Sequence, residues 1–275
     1  MGKLLDSITS EKKKVGLRIF LYAPPKFGKS RWAAEIKDNL FLNLEDGLNA
    51  IPGVMATPRI KTYEEFINYV GELMTSDHNF KTITIDTVDW LEVLMSDYAV
   101  RTYNKVKGTS YQTVAEIPFG QGYPMLVKLT RKLINGELEY LRTEKGMNIV
   151  CLAHSDRKTI IPPMGESYDY YAPKLYSKKD KDDTTVAAWK EWVDVLGFGY
   201  TKIYTKNSGE GLNERTQAVR TGDKLLYLDD ANPAYLAGSR YKLPSAIPFT
   251  YQAFCEAMAN ALNPNNNEQT TEQGE

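Results

Sequence analysis

Lys29 and Ser30 close a tight turn made of Ala23, Pro24, Pro25, Lys26, Phe27 and Gly28, with Arg31 next in the chain. These residue types suit a polyphosphate. Backbone N–H groups from Lys26 to Ser30 can converge on an anion at a helix N-terminus, where unpaired donors and the helix dipole favour negative charge. Lys29 can reach the β- and γ-phosphates, and the Ser30 hydroxyl can ligate the accompanying Mg²⁺. The two prolines bring no N–H, but they stand in the first half of the turn and stiffen it. Where the phosphate-loop pattern begins with glycine this chain has Ala23, so an ordinary β conformation is expected there. The plainer alternative is a turn that happens to hold Gly-Lys-Ser.

Three further positions carry chemistry. Glu45 follows the apolar run Leu40 to Leu44 and could orient and deprotonate a water attacking a γ-phosphate; the alternative is a solvated acidic turn before Gly47. Asp86 ends the β-branched run Ile83 to Ile85, the form of a Walker B strand whose carboxylate binds Mg²⁺. His154, one of only two histidines, ends the apolar run Ile149 to Ala153; it can sense a γ-phosphate or be a surface histidine at a strand end.

These groups need elements to hold them. Leu17, Ile19, Phe20, Leu21 and Tyr22 read as a buried strand before the phosphate loop, and Trp32, Ala33 and Ile36 as the helix after it. A helix is expected from Tyr63 to Met74, another from Val88, capped by Thr87, to about Tyr103, and a third from Met125 to Lys145. Two long connections stand out. Residues 105–124 are too long for an ordinary link and should be functional or disordered. Residues 155–184 read as a loop interleaving Arg157, Lys158, Lys174, Lys178, Lys179 and Lys181 with Tyr168, Tyr170, Tyr171 and Tyr176. Cations that track phosphates and rings that stack on bases suit single-stranded nucleic acid, but nearby aspartates and Glu166 almost cancel the charge. A lid, or a loop packed on a neighbouring subunit, is the rival reading. Residues 186–193 read as a short helix. Residues 195–206 and 215–229 read as strands joined by a polar turn, the second broken at Thr221-Gly222-Asp223, both antiparallel additions at the sheet edge. Arg240 and Lys242 fall two apart on an extended, exposed stretch and so point to one side. A last helix is expected from Thr250 to Leu262.

The 275 residues carry a net charge of −1, with 42% hydrophobic and 11% aromatic residues. A sizeable core is possible, and no basic excess advertises nucleic acid, so any such affinity must be local. Cys151 and Cys255 read as free thiols in a reducing compartment. No apolar run reaches transmembrane length and no signal peptide is visible, so the expectation is a cytoplasmic protein with no membrane partner. The expected organisation is a polar arm over 1–16, one ATPase domain over 17–262, and a disordered polar tail over 263–275.

In order, APPKFGKS, LNLEDGL, ITIDT, VCLAHSDRK, WVDVLGF and SRYKLP resemble the RecA-type ATPase core, and more narrowly the short RecA-like proteins of bacteriophages that promote single-strand annealing and recombination. The resemblance spans residues 17 to about 250. It implies an α/β fold, a RecA-like P-loop core with a mostly parallel central sheet flanked by helices and antiparallel edge strands in the C-terminal third. It implies ATP and Mg²⁺ as cofactors and ATP hydrolysis. Glu45 matches the water-activating glutamate, and His154 stands where the family has a γ-phosphate-sensing glutamine. Residues 105–124 and 155–184 take the places of the two DNA-binding loops. Arg240 and Lys242 match cations that reach a neighbour's ATP, implying a homo-oligomer with nucleotide between subunits. A single-strand-binding or replication protein is a further partner, and the host cytoplasm the location if the chain is phage-encoded. The rival functions are a P-loop ATPase acting on a protein, such as a helicase loader or a packaging or assembly factor, and a nucleotide-binding regulator with little turnover.

Overall fold

The computed structural model describes residues 15–162, 165–178, 183–208 and 215–263, with 203–208 and 215–221 described by their backbone alone. Residues 1–14 of the expected arm, 264–275 of the expected tail, and Lys179 and Lys181 of the second connection lie outside the described residues.

The strands are β1 (Arg18–Ala23), β2 (Asn39–Asn43), β3 (Met55–Ala56), β4 (Thr82–Asp86), β5 (Asn148–Ile160), β6 (Tyr168–Pro173), β7 (Val195–Ser208), β8 (Arg215–Tyr227), β9 (Gly238–Ser239) and β10 (Ala246–Pro248). They join in the order β10-β8-β7-β1-β5-β4-β2-β3, with β6 on β5 and β9 on β7. From β7 through β1, β5, β4 and β2 to β3 every pairing is parallel. β5, which carries His154, thus lies between the phosphate-loop strand β1 and the Asp86 strand β4. A mostly parallel sheet in this order, with antiparallel additions, is the RecA-like P-loop arrangement.

Helices cover both faces. They are α1 (Lys29–Ala34), α2 (Tyr63–Thr75), α3 (Val88–Lys107), α4 (Gly122–Leu133), α5 (Glu139–Thr143), α6 (Thr185–Trp192) and α7 (Tyr251–Leu262). Side chains alternate across a strand, so β1 feeds two cores. Ile19 and Leu21 pack with Trp32 and Ala33 of α1 and Phe254 of α7. Phe20 and Tyr22 pack with residues of α2 to α6. Such two-sided burial is why the parallel strands read as continuous apolar runs.

Several expectations need correction. Residues 155–184 are not one loop. β5 continues six residues past His154 and pairs antiparallel with β6, from Ser155↔Pro173 to Ile160↔Tyr168. Thr159, Ile160 and the tyrosines of β6 are strand formers with two-residue periodicity, a signal masked by the density of charge. β7 is not an edge addition: it pairs in parallel with β1, and only β8, β9 and β10 are antiparallel in that part of the sheet. β8 is one strand from Arg215 to Tyr227, but its pairing with β7 shifts register where the break was expected: Thr201 faces Lys224 and Ile203 faces Arg220, and Gly222 between them is left-handed at φ 86°. α3 extends to Lys107, because Lys105 and Lys107 complement its C-terminal dipole and Gly108, at φ 66°, supplies the left-handed stop. Thr87 takes the cap position without a side-chain capping bond; Asp89 supplies the acidic group of the first turn. The helix expected from Met125 to Lys145 begins at Gly122, widens into a π turn at Ile134–Leu138, and ends at Thr143.

Candidate functional site

β1 delivers Ala23, buried and extended, to the rim of the sheet. The chain then turns through two left-handed residues, Lys26 (φ 61°) and Gly28 (φ 117°), before α1 begins at Lys29. Phe27 anchors this loop. Its ring meets Phe249 edge-on at 4.7 Å and lies over Gly199, where an added Cβ would stand 2.8 Å from Phe27 and 2.7 Å from Phe249. Lys29 is only 5% exposed. Its ammonium donates to the Ala23 and Pro24 carbonyls at 3.3 and 3.4 Å, long bonds that a phosphate oxygen can replace. Burial lowers its pKa, while Asp86, Glu45 and Asp89 oppose that.

The parallel register brings the other groups to the same rim. Ala23 is opposite His154 on β5, and Asp86 of β4 lies between Leu152 of β5 and Asn43 of β2. Lys29, Ser30, Glu45, Asp86 and His154 line one cavity of about 430 Å³. Asp86 is 3% exposed. Burial pushes its carboxyl up to about 6, against a hydrogen bond from the Ser30 hydroxyl. Ser30 and Asp86 line the same cavity, and a divalent cation beside them would reverse the cost of ionising the acid. Hydroxyl and carboxylate oxygens are the hard donors Mg²⁺ takes. Among the described residues no group of three or more His, Cys, Asp or Glu could hold a metal, and an ion held largely by substrate phosphates needs none.

His154 is fixed by a partner that sequence reasoning missed. Asp89, the second residue of α3, accepts from the His154 backbone N–H at 3.0 Å and lies 2.9 Å from Nδ1. Burial would raise Asp89, but the His154 contacts outweigh it and hold the carboxyl below its ordinary value. The other ring nitrogen, Nε2, lies 3.5 Å from Glu45. Three groups from three elements thus form a chain from Asp89 through His154 to Glu45. Three residues further along α3, Glu92 accepts from the Tyr176 N–H at 2.7 Å and from the Thr185 hydroxyl, tying the nucleotide-side helix to the segment after the β5–β6 hairpin. Burial pushes Glu92 up to about 7.

Arg240 and Lys242 do not join this cavity. β9 pairs with the start of β7, which lies opposite the start of β1, so Arg240 sits at the far end of the sheet from the phosphate loop. There it donates to the Glu191 carbonyl at 2.7 Å and stands 3.6 Å from Asp194. Lys242 is exposed on the way to β10. A second missed residue, Lys224 of β8, does line the cavity.

The β5–β6 hairpin separates charges that looked mutually cancelling. Lys158 and Ile160 lie opposite Tyr170 and Tyr168, and with Lys178, Lys190 and Tyr235 they border a second cavity of about 490 Å³. Asp169 is tied to Thr159 at 2.6 Å and Arg157 at 3.5 Å, and Asp183 to Arg131 at 2.9 Å. Tyr171 and Tyr176 are committed to packing, against Phe198 and Tyr123. In the first connection, Asn104 clamps Tyr111 and Thr109, and Phe119 at 96% exposure is the conspicuous free ring.

The AAA domain family matches residues 15–241 of the chain. A solved structure described as the crystal structure of the RadB recombinase aligns at 11% identity and a TM-score of 0.45, covering 91% of this chain and 95% of that one. No curated protein matches the sequence.

Proposed function

The chain belongs to the AAA-domain family of P-loop ATPases, and from that premise we propose that it hydrolyses ATP, binds single-stranded DNA, and promotes annealing or homologous recombination in the manner of the short RecA-like phage proteins. One observation carries the ATPase reading: Lys29 and Ser30 of α1, Asp86 of β4, His154 of β5 and Glu45 beyond β2 line a single cavity. The loop amides and Lys29 hold the triphosphate, and Ser30 and Asp86 hold Mg²⁺, which neutralises phosphate charge. Glu45 takes the proton of the attacking water. His154, oriented by Asp89, reports the γ-phosphate to the hairpin that begins at the next residue. Arg240 and Lys242, remote from their own loop, serve a neighbouring subunit's nucleotide in a homo-oligomer. The DNA reading is supported by the cavity lined by Tyr168, Tyr170 and Tyr235 together with Lys158, Lys178 and Lys190.

The test is ATP turnover by wild type and Lys29→Ala, with and without single-stranded oligonucleotide. Turnover that needs Lys29 and rises with DNA is the expected result. Unchanged turnover in Lys29→Ala refutes the site. Turnover indifferent to DNA points to a protein partner, and binding without turnover to a regulator. Among the described residues no helix is long and apolar enough to cross a membrane.

A further inference from the structure

Leu226 and Leu228 of β8 and its continuation pack on Trp32 and Ala33 of α1. Alternation puts Lys224 on the same face, two residues earlier and beyond the edge of that core. What lies beneath it there is the phosphate loop. The Lys224 ammonium donates to the Phe27 carbonyl, stands 4.9 Å from the centre of the Phe27 ring, and is 3.8 Å from where a Cβ on Gly28 would be. The arrangement is built in. Phe249 N–H donates to the Lys224 carbonyl at 3.0 Å, and the Phe249 ring clasps Phe27, so one aromatic contact fixes both the loop and the strand above it. No ion pair to a carboxylate holds Lys224 among the described side chains. Its present partners, one carbonyl and one ring face, are contacts that a phosphate oxygen outcompetes.

We propose that Lys224 is a second phosphate-binding cation supplied by the same subunit, which leaves the Phe27 carbonyl when a nucleoside triphosphate enters and contacts the polyphosphate across the loop from Lys29. This rests on the nucleotide-site reading above. It gives each subunit a second cation in cis beside Lys29, in addition to the trans cations that the resemblance implies at Arg240 and Lys242. A ligand with more phosphates gains more from it, so Lys224 should favour triphosphate over monophosphate.

The experiment is equilibrium binding of ATP, ADP and AMP with Mg²⁺ to wild type, Lys224→Gln, Lys224→Arg and Lys29→Ala, with thermal midpoints of the nucleotide-free proteins alongside. Lys224→Gln should weaken ATP about tenfold, as loss of one charge-assisted bond predicts. It should weaken ADP less and leave AMP nearly unchanged, with a shallower salt dependence for ATP; Lys224→Arg should retain most of the affinity. Equal weakening of all three nucleotides, or none, overturns the proposal. If Lys29→Ala loses ATP while Lys224→Gln keeps it, this inference fails alone; if Lys29→Ala also keeps it, the site reading fails and takes this inference with it. An equimolar mixture of Lys29→Ala and Lys224→Gln in which a fraction of the sites regains wild-type ATP affinity would move the contact across subunits and refute the intrasubunit assignment.

Discussion

Replacing Glu92 by Gln should change how stability responds to pH. Burial raises the Glu92 carboxyl from its ordinary 4.5 to about 7, with bonds from Thr185 and Tyr176 and the charge of Lys158 partly opposing. A raised carboxyl means the folded protein holds a proton that the unfolded chain has released. Stability from this group is therefore fully present below pH 4.5 and is lost as pH rises to about 7. At 1.36 kcal/mol per pKa unit the loss is about 3 kcal/mol; because the residue is partly open to solvent, screening cuts it to about 2 kcal/mol. Gln removes the ionisation while keeping an oxygen for the Tyr176 N–H. Its amide can donate to Thr185, whose hydroxyl already reaches the Tyr176 carbonyl at 3.1 Å. Urea unfolding of both proteins at pH 4.5 and pH 8 isolates the effect, since other titrating groups cancel in the difference. Glu92→Gln should gain about 2 kcal/mol on wild type between the two values. A stability difference that does not change with pH would refute the claim that this carboxylate is costly to ionise where it sits.

Two further substitutions probe the frame of the site. Gly199→Ala places a Cβ 2.7 Å from Phe249, 2.8 Å from Phe27 and 3.0 Å from the Ala23 Cβ; it should cost about 1–3 kcal/mol in denaturant unfolding, as overpacking does. Because Phe27 anchors the phosphate loop, ATP binding should weaken with it, and undiminished affinity would show the loop to be independent of that anchor. Asp194→Ala leaves Arg18, whose guanidinium bonds both carboxylate oxygens while the two residues are 8% and 6% exposed, with Glu139 at 3.5 Å as its remaining carboxylate; breaking such a buried pair should cost about 3 kcal/mol. Adding Arg18→Met should recover part of that loss, and a double variant no more stable than the single would contradict the account.

The chain's local order wrote much of this protein. Ala23 to Ser30 set between a strand and a helix, Ile83 to Asp86, and Ile149 to His154 identify their elements because apolar periodicity and turn residues act on near neighbours. That these strands join in one mostly parallel sheet is what the resemblance to the RecA-type core implied. What tertiary structure alone decided lies at long sequence separation. Asp89 meets His154 across 65 positions, and Lys224 meets Phe27 across 197; no local pattern encodes either, since each depends on which strands are neighbours. The hairpin beyond His154 was hidden for a related reason. Composition counts lysines and aspartates together, whereas a pleated strand sends alternate side chains to opposite faces, leaving Lys158 beside Tyr170 and turning Asp169 toward Arg157. Residue types declare themselves in one dimension, but which of them share a surface is settled by hydrogen-bonded pairing between distant segments.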